Sequence, residues 1–254
     1  MKLEEKFMVQ TIERCNRILR LVAHAPAGIK LSDVAEQMEL KYTTVYNLAG
    51  SLLRCGMLEK ADGLFFPGPA LEELALFRRR QRELNGMTRE IVRLGKYSNE
   101  HSFVFSVPHG TQIHALLWKE CAEREPRRVL QFLPPLDSVA GIVMLAWLPP
   151  KEARRLREAH LGDPVFQKKW EGSEQKLDAC IARCREQGYA QLPYESPDVL
   201  RVAVPVFADG KLIGALTWTR RTKNRKELDA MLPHLLEVEG PETETTRAET
   251  VFQA

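Results

Sequence analysis

The first 55 residues contain three runs of apolar residues at helical spacing. Residues 11–25 predict one helix, residues 32–38 predict a second that begins with Ser32 as its N-cap, and residues 42–55 predict a third. The apolar positions of the third helix are Val45, Leu48, Ala49, Leu52 and Leu53. Its remaining positions are mostly polar, so one face should be buried and the other should meet solvent or a partner.

A hairpin is expected directly after the third helix. Residues 57–60 and 64–66 are short strand-like runs, and the intervening Asp62-Gly63 favours a tight turn. Pro67-Gly68-Pro69 then ends the segment. Three helices and a hairpin in about 60 residues are typical of a winged helix-turn-helix, which we therefore predict over residues 1–68.

The rest of the chain predicts a helical linker and a mixed domain. Residues 69–98 should be helical, with one helix over 71–83, a break at Asn85-Gly86 and a second helix ending at Gly95. From residue 100 the spacing of apolar residues changes from that of a helix to that of extended strands. Hairpins are expected at 101–119 and 200–219, with helices between them. Residues 99–238 therefore predict an antiparallel α+β domain, and residues 239–254, rich in Glu and Thr, a disordered tail.

Composition excludes several classes of protein. The chain has 254 residues, 44% hydrophobic and 28% charged, which is ordinary globular composition. Its longest apolar run, at 139–148, is too short to cross a bilayer, and the N-terminus lacks the apolar stretch of a signal peptide. We expect a cytoplasmic protein with no membrane partner.

The sequence contains none of the common catalytic or metal-binding motifs. The sequence has no phosphate-binding glycine loop, no Gly-x-Ser-x-Gly elbow and no HExxH helix, and its six His residues lack metal-ligand spacing. Cys180 and Cys184 share a helix face, where packing is the simpler explanation. We predict no catalytic residue, no metal and no cofactor.

The outward face of the third helix predicts contact with DNA. Hydroxyl and amide groups bond phosphates and base edges, and an Asn can pair with adenine in the major groove. Net charge is only +3, so affinity must come from local placement or from dimerisation. The candidate DNA-binding residues are Lys41, Tyr42, Thr43, Thr44, Tyr46, Asn47, Ser51, Arg54 and Lys60. The alternative is a helix that is polar only because solvent covers it.

Strand parity predicts a ligand site in the second domain. Thr217 and Thr219 share one face of the last strand, and Arg201 and Ala203 share one face of its neighbour. An Arg in a strand of Val and Ala is costly without an anionic partner, which could be a ligand carboxylate or the acids Glu195 and Asp198. The candidate effector-binding residues are Arg201, Ala203, Thr217, Thr219, Met144, Trp147, Trp118 and Phe105.

Five segments of the chain resemble the IclR family of bacterial transcription regulators. They are LKYTTVYNL at 40–48, GIVMLAWLP at 141–149, GYA at 188–190, VAVPV at 202–206 and IGALT at 213–217. The resemblance implies a GAF-like effector domain, homodimers that can pair into tetramers, and a small aromatic or carboxylic effector. Asn47 departs from the Arg common in that family, and Arg201 stands where many relatives have Cys.

These observations favour a sequence-specific transcription regulator that binds double-stranded operator DNA and responds to a small effector, most simply an aromatic or aliphatic carboxylate. Two alternatives remain: an enzyme carrying an accessory winged helix, and a module that uses its winged helix to bind another protein. Tight, salt-dependent binding to one operator would favour the regulator, and turnover of a ligand would favour the enzyme.

Overall fold

The computed structural model describes residues 9–97, 100–192 and 198–241. The chain divides into two compact units, the first ending at Arg79 and the second beginning at Arg80. The segment 69–98 is therefore shared between them, one helix in each unit. No described helix is long and apolar enough to cross a membrane.

The first unit has the predicted order of three helices and a hairpin, followed by a fourth helix. Its elements are α1 (Gln10–Ala23), α2 (Leu31–Met38), α3 (Tyr42–Arg54), β1 (Leu58–Ala61), β2 (Leu64–Pro67) and α4 (Pro69–Arg79). Its core joins one face of each of the first three helices to the hairpin, through Ile18, Val22, Val34, Val45, Ala49, Leu58 and Phe65.

Local backbone chemistry explains the hairpin but corrects one helix cap. Asp62 and Gly63 both have positive φ, 50° and 81°, which suits a two-residue turn between antiparallel strands. Ser32 is not the N-cap of α2: the helix begins one residue before it, and the Ser32 hydroxyl donates to the Asp33 carboxylate instead (2.9 Å).

The second unit is an α+β domain built on one antiparallel sheet, as predicted. Its elements are α5 (Gln81–Gly95), β3 (Ser102–His109), β4 (Gln112–Lys119), β5 (Arg127–Leu133), α6 (Val139–Trp147), α7 (Pro150–Glu158), α8 (Pro164–Trp170), α9 (Glu174–Gln187), β6 (Ala190–Gln191), β7 (Val199–Ala208), β8 (Lys211–Arg221) and α10 (Lys226–Leu236). The six described strands lie in the order β5-β4-β3-β8-β7-β6. β5, β6, α8 and α10 were not predicted.

The sheet is buried by helices. α6 packs on β7 and β8 and is backed by α9, while α5 contacts β4 and α10 contacts β7. The α6 side includes Ile113, Ala203 and Ala215 in one cluster with helix residues. Phe103 and Trp218 point to the opposite face of the sheet, and both side chains are fully buried. Both faces of the sheet therefore contribute to the core.

The predicted linker helices begin and end elsewhere. A single helix over 71–83 is wrong, because Arg80, with φ −95° and ψ 9°, separates α4 from α5. Asn85-Gly86 does not break α5. Gly86 is buried there, and an added Cβ would lie 2.8 Å from the Pro241 ring, so this glycine permits a close contact rather than a turn.

Other predicted helix ends are confirmed. The Ser173 hydroxyl accepts a hydrogen bond from the Lys176 amide at the start of α9, and Gly188, with φ 83°, ends that helix. Of the predicted tail, residues 242–254 lie outside the described residues, whereas the Gly240 amide donates to the Phe207 carbonyl oxygen (2.7 Å).

Candidate functional site

The outer face of α3 carries the predicted DNA-binding residues. Most of them are exposed, namely Lys41, Tyr42, Thr43, Tyr46, Asn47, Ser51 and Arg54 on or beside α3 and Lys60 on β1. Thr44 is half-buried and turns partly toward the core. A groove of about 400 Å³ lies between α3 and the hairpin, and five of these residues line it: Tyr46, Asn47, Ser51, Arg54 and Lys60.

Contacts within the unit hold these side chains in place. The Ser51 hydroxyl donates to the Asn47 carbonyl oxygen (3.1 Å), and Arg54 Nη2 donates to Ser51 Oγ (3.2 Å). Lys60 Nζ lies 5.6 Å from the centroid of the Phe65 ring, a cation–π distance. These contacts restrict the positions of the charged and hydroxyl groups along the groove.

The second unit encloses a cavity of about 170 Å³ between the sheet and the start of α6. The residues lining it are Ser102, Val104, Trp118, Glu120, Leu133, Ser138, Val139, Ala140, Arg201, Thr217 and Thr219. Four of them, Trp118, Arg201, Thr217 and Thr219, belong to the predicted effector site. The cavity is thus where strand parity placed a ligand.

Strand register explains the polarity of the cavity floor. Ser102, Thr219 and Arg201 lie side by side on β3, β8 and β7, and form a polar row. Two residues further along, Val104 and Thr217 form a second and less polar row. Because side chains two residues apart share a face, both rows point toward α6.

Arg201 is held in the polar row by its neighbour. Its Nε donates to Thr219 Oγ1 (2.9 Å), and the side chain is half-buried. Glu195, one of the two acids considered as its partner, lies outside the described residues. A guanidinium presents a planar fork of N–H donors that matches the geometry of a carboxylate.

The start of α6 forms the opposite wall. The Ser138 hydroxyl accepts a hydrogen bond from the Gly141 amide (3.1 Å), which caps the first turn. Val139 and Ala140 border the cavity at this helix N-terminus, where the partial positive charge of the helix favours an anion. Arg201 and this wall therefore have the same electrostatic preference.

Four other predicted effector residues do not line the cavity. Phe105 lies one position away from Val104, so its ring points to the opposite face of the sheet. Met144 and Ala203 are fully buried in the packing between α6 and the sheet. Trp147, at the end of α6, borders a different groove near Pro205 and Gly240.

Sequence reasoning also missed residues that the cavity includes. Ser102 could have been found from its pairing with Thr219, had the β3–β8 register been known. Ser138 precedes an apolar helix and has a residue type typical of an N-cap. Glu120 and Leu133 had no comparable signal. Leu133 lies on β5, a strand that was not predicted.

Burial shifts the pKa of several ionisable groups elsewhere in the second unit. Burial lowers the pKa of His101 and the pKa of Lys119, and Lys119 Nζ donates to the His101 carbonyl oxygen (3.3 Å). Burial raises the pKa of the Cys184 thiol to about 12, so it stays protonated at neutral pH. Within the described ranges, no three His, Cys, Asp or Glu side chains could hold a metal ion.

Known proteins resemble this chain over both of its units. The HTH-type transcriptional regulator XynR of Escherichia coli is 27% identical over 224 residues, which cover 85% of this chain and 87% of XynR. An IclR homologue of Microbacterium hydrocarbonoxydans, solved with 4-hydroxybenzoate, is 24% identical with a TM-score of 0.51, covering 89% of this chain and 94% of its own.

A second solved structure has the same fold. An IclR transcriptional regulator of Silicibacter sp. matches with a TM-score of 0.53 and 24% identity, covering 89% of this chain and 91% of its own. The family match itself falls on the first unit, where residues 11–62 match the IclR helix-turn-helix domain. The chain therefore has an IclR helix-turn-helix domain at its N-terminal end and is similar to IclR-type transcription regulators over most of its length.

Proposed function

We propose that this protein is a sequence-specific regulator whose affinity for its operator is modulated by a small carboxylate bound between the sheet and α6. The observation that carries the proposal is the convergence of Arg201, Thr217 and Thr219 on one cavity at the N-terminus of α6. Each supplies a donor or a positive potential suited to carboxylate oxygens.

The cavity volume is sufficient for a small effector. A cavity of about 150 Å³ holds a benzene molecule, and this one has about 170 Å³. A single ring or a short chain bearing one carboxylate therefore fits. Val104, Leu133 and Val139 provide the apolar walls that such a ring or chain requires.

A solved relative supports the same ligand class. The IclR homologue of Microbacterium hydrocarbonoxydans is complexed with 4-hydroxybenzoate, a small aromatic carboxylate. In this chain the carboxylate would lie beside Arg201, Thr217 and Thr219, with the ring against Val104, Leu133 and Val139. This orientation places the negative charge of the ligand beside Arg201 and the apolar atoms of its ring beside apolar side chains.

DNA recognition would use α3 and the hairpin of each copy in a dimer. Residues near the N-terminus of a recognition helix usually meet base edges, which assigns Tyr42, Thr43, Tyr46 and Asn47 to the bases. Ser51, Arg54 and Lys60 would then hold the backbone. Two copies would meet successive major grooves of a pseudo-palindromic operator. An operator-binding protein acts where the bacterial chromosome is, so we place it in the cytoplasm.

Calorimetry with matched acids and amides tests the effector site. Small aromatic and aliphatic carboxylic acids should bind, and their amides should bind tens-fold more weakly, because a charge-assisted contact in a desolvated site is worth roughly 2–5 kcal/mol. Arg201→Ala should remove the preference for acids. Arg221→Ala is the matched control, because Arg221 is exposed at the end of β8 and does not line the cavity.

Equal binding of acids and amides by the parent protein would contradict a carboxylate site. An Arg201→Ala variant that still prefers acids would show instead that Arg201 is a structural ion-pair residue.

A further inference from the structure

Gly50 lies in the middle of α3, the helix assigned to DNA contact. A glycine inside a helix destabilises it relative to alanine, because glycine loses more backbone freedom when it becomes ordered. Glycine is usually retained at such a position because its backbone has positive φ or because another group lies too close for a side chain.

Neither reason applies within this unit. Gly50 is not among the described residues with positive φ. An added Cβ at Gly50 would meet no described atom within 4 Å. At Gly68 and Gly141, by contrast, an added Cβ would lie 2.2 Å and 1.7 Å from a backbone oxygen. Among the described residues, none fills the space above Gly50.

The surroundings of Gly50 indicate what fills that space. Gly50 lines the groove between α3 and the hairpin, between Asn47 on one side and Arg54 on the other. Two of the described lining residues, Arg54 and Lys60, are cationic, and none is a carboxylate. The groove is therefore complementary in charge to a phosphate.

We propose that Gly50 is the point of closest approach between α3 and the sugar–phosphate backbone, and that the groove receives one phosphate between Arg54 and Lys60. This inference rests on the assignment of α3 as the recognition helix. Gly50 is two turns from the helix start, where a recognition helix leaves the base edges and comes near the backbone. A side chain here would push the phosphate away from both cations.

The proposal predicts opposite effects on stability and on binding. The probe is a duplex that the parent protein selects from a random-sequence library, and binding is followed by fluorescence anisotropy. Gly50→Ala should slow amide hydrogen exchange in the peptide covering α3 by about fivefold, because alanine favours the helix. It should nevertheless weaken DNA binding at least tenfold, and Gly50→Leu should weaken it further.

Salt dependence identifies the group that the side chain displaces. If the phosphate leaves the groove, the slope of log affinity against log salt should fall by about one in Gly50→Leu, and Arg54→Ala should lower it by about one as well. Gly162→Ala is the matched control. Gly162 is an exposed glycine of the second unit with equal space for a Cβ, and its substitution should change neither readout.

Three results would overturn the proposal. Binding of Gly50→Ala and Gly50→Leu within twofold of the parent would show that nothing approaches Gly50. Faster hydrogen exchange in Gly50→Ala would show that the glycine serves the fold. Weakened binding with an unchanged salt slope would place a base edge, not a phosphate, at this position. Failure of the parent to select any duplex would instead count against α3 as a recognition helix.

Discussion

Asn47 is the single side chain on α3 best suited to read a base. Its amide is exposed and can donate to and accept from an adenine edge. Asn47→Ala should therefore cost roughly 1–3 kcal/mol of operator binding and leave the fold intact. A gel-shift titration measures this loss. Asn16→Ala, a substitution of another exposed Asn on α1, is the control. If Asn47→Ala and Asn16→Ala both bind the operator as tightly as the parent does, Asn47 does not contact DNA.

His101 should make the stability of the second unit sensitive to acid. Its pKa lies below 6.5, mainly because burial disfavours the charged ring and also because Arg220 and Lys119 are close; Glu227 and Glu100 act in the opposite direction. The unfolded chain then binds a proton more readily than the folded one. Stability contributed by the neutral ring is present above about pH 6.5 and is lost as the pH falls from there toward the folded-state pKa.

Urea denaturation between pH 7.5 and pH 5 measures that loss. His101→Phe should unfold at a urea midpoint that varies less with pH over this range, because Phe preserves the edge contact with Trp218 and cannot be protonated. The same pH dependence in parent and variant would show that other groups dominate.

Residue patterns predicted part of the cavity lining and missed part of it. Arg201, Thr217 and Thr219 were identified because a period of two fixes which residues of one strand share a face. Phe105 was misplaced because both faces of β3 carry apolar residues, so the sequence does not indicate which face meets the cavity. That choice depends on the pairing of β3 with β8, which involves residues more than a hundred positions apart.

Among the elements, those with local signals were predicted best. The Asp62-Gly63 hairpin and the Ser173-to-Gly188 helix are confirmed, because turns and caps are encoded within a few residues. The predicted break of α5 at Gly86 is wrong because the close contact that requires a glycine there is with Pro241, far away in sequence. β5 was missed because its side chains are mostly exposed and do not alternate clearly.

The first turn of α6 should not tolerate a side chain at Gly141. An added Cβ would lie 1.7 Å from the Pro135 carbonyl oxygen, so the helix start must move. Gly141→Ala should lower the stability of the second unit by about 3 kcal/mol, as strong overpacking does, and should reduce carboxylate binding by displacing Ser138 and Ala140. Chemical denaturation followed by Trp fluorescence measures the first effect, and an unchanged midpoint would contradict it.

An apolar stripe on α4 is predicted to contribute to a dimer interface. Leu74 and Ala75 are exposed, and Leu71 is half-buried beside them. Leu74→Glu should weaken self-association at least tenfold, because it places a charge in a surface that two copies would bury. Light scattering over a concentration series measures this. A parent that is monomeric at micromolar concentration, or a Leu74→Glu variant that associates normally, would contradict the prediction.

At the scale of the whole molecule, effector control of operator binding requires coupling between the two compact units. Each unit has its own hydrophobic cluster, and the effector cavity belongs entirely to the second. A carboxylate can change operator affinity only if it binds the DNA-bound and free forms with different affinities. By linkage, operator DNA must then change the affinity for the carboxylate by the same factor.

Operator affinity measured with and without a bound carboxylate tests this account most directly. We predict that an acid found by calorimetry shifts the affinity of the parent protein for its selected duplex at least fivefold, which corresponds to a coupling of about 1 kcal/mol. Arg201→Ala should bind DNA like the parent without the acid and should show no shift at the concentration that saturates the parent. An unchanged DNA affinity when the parent's cavity is saturated would contradict the account, as would a full shift in Arg201→Ala.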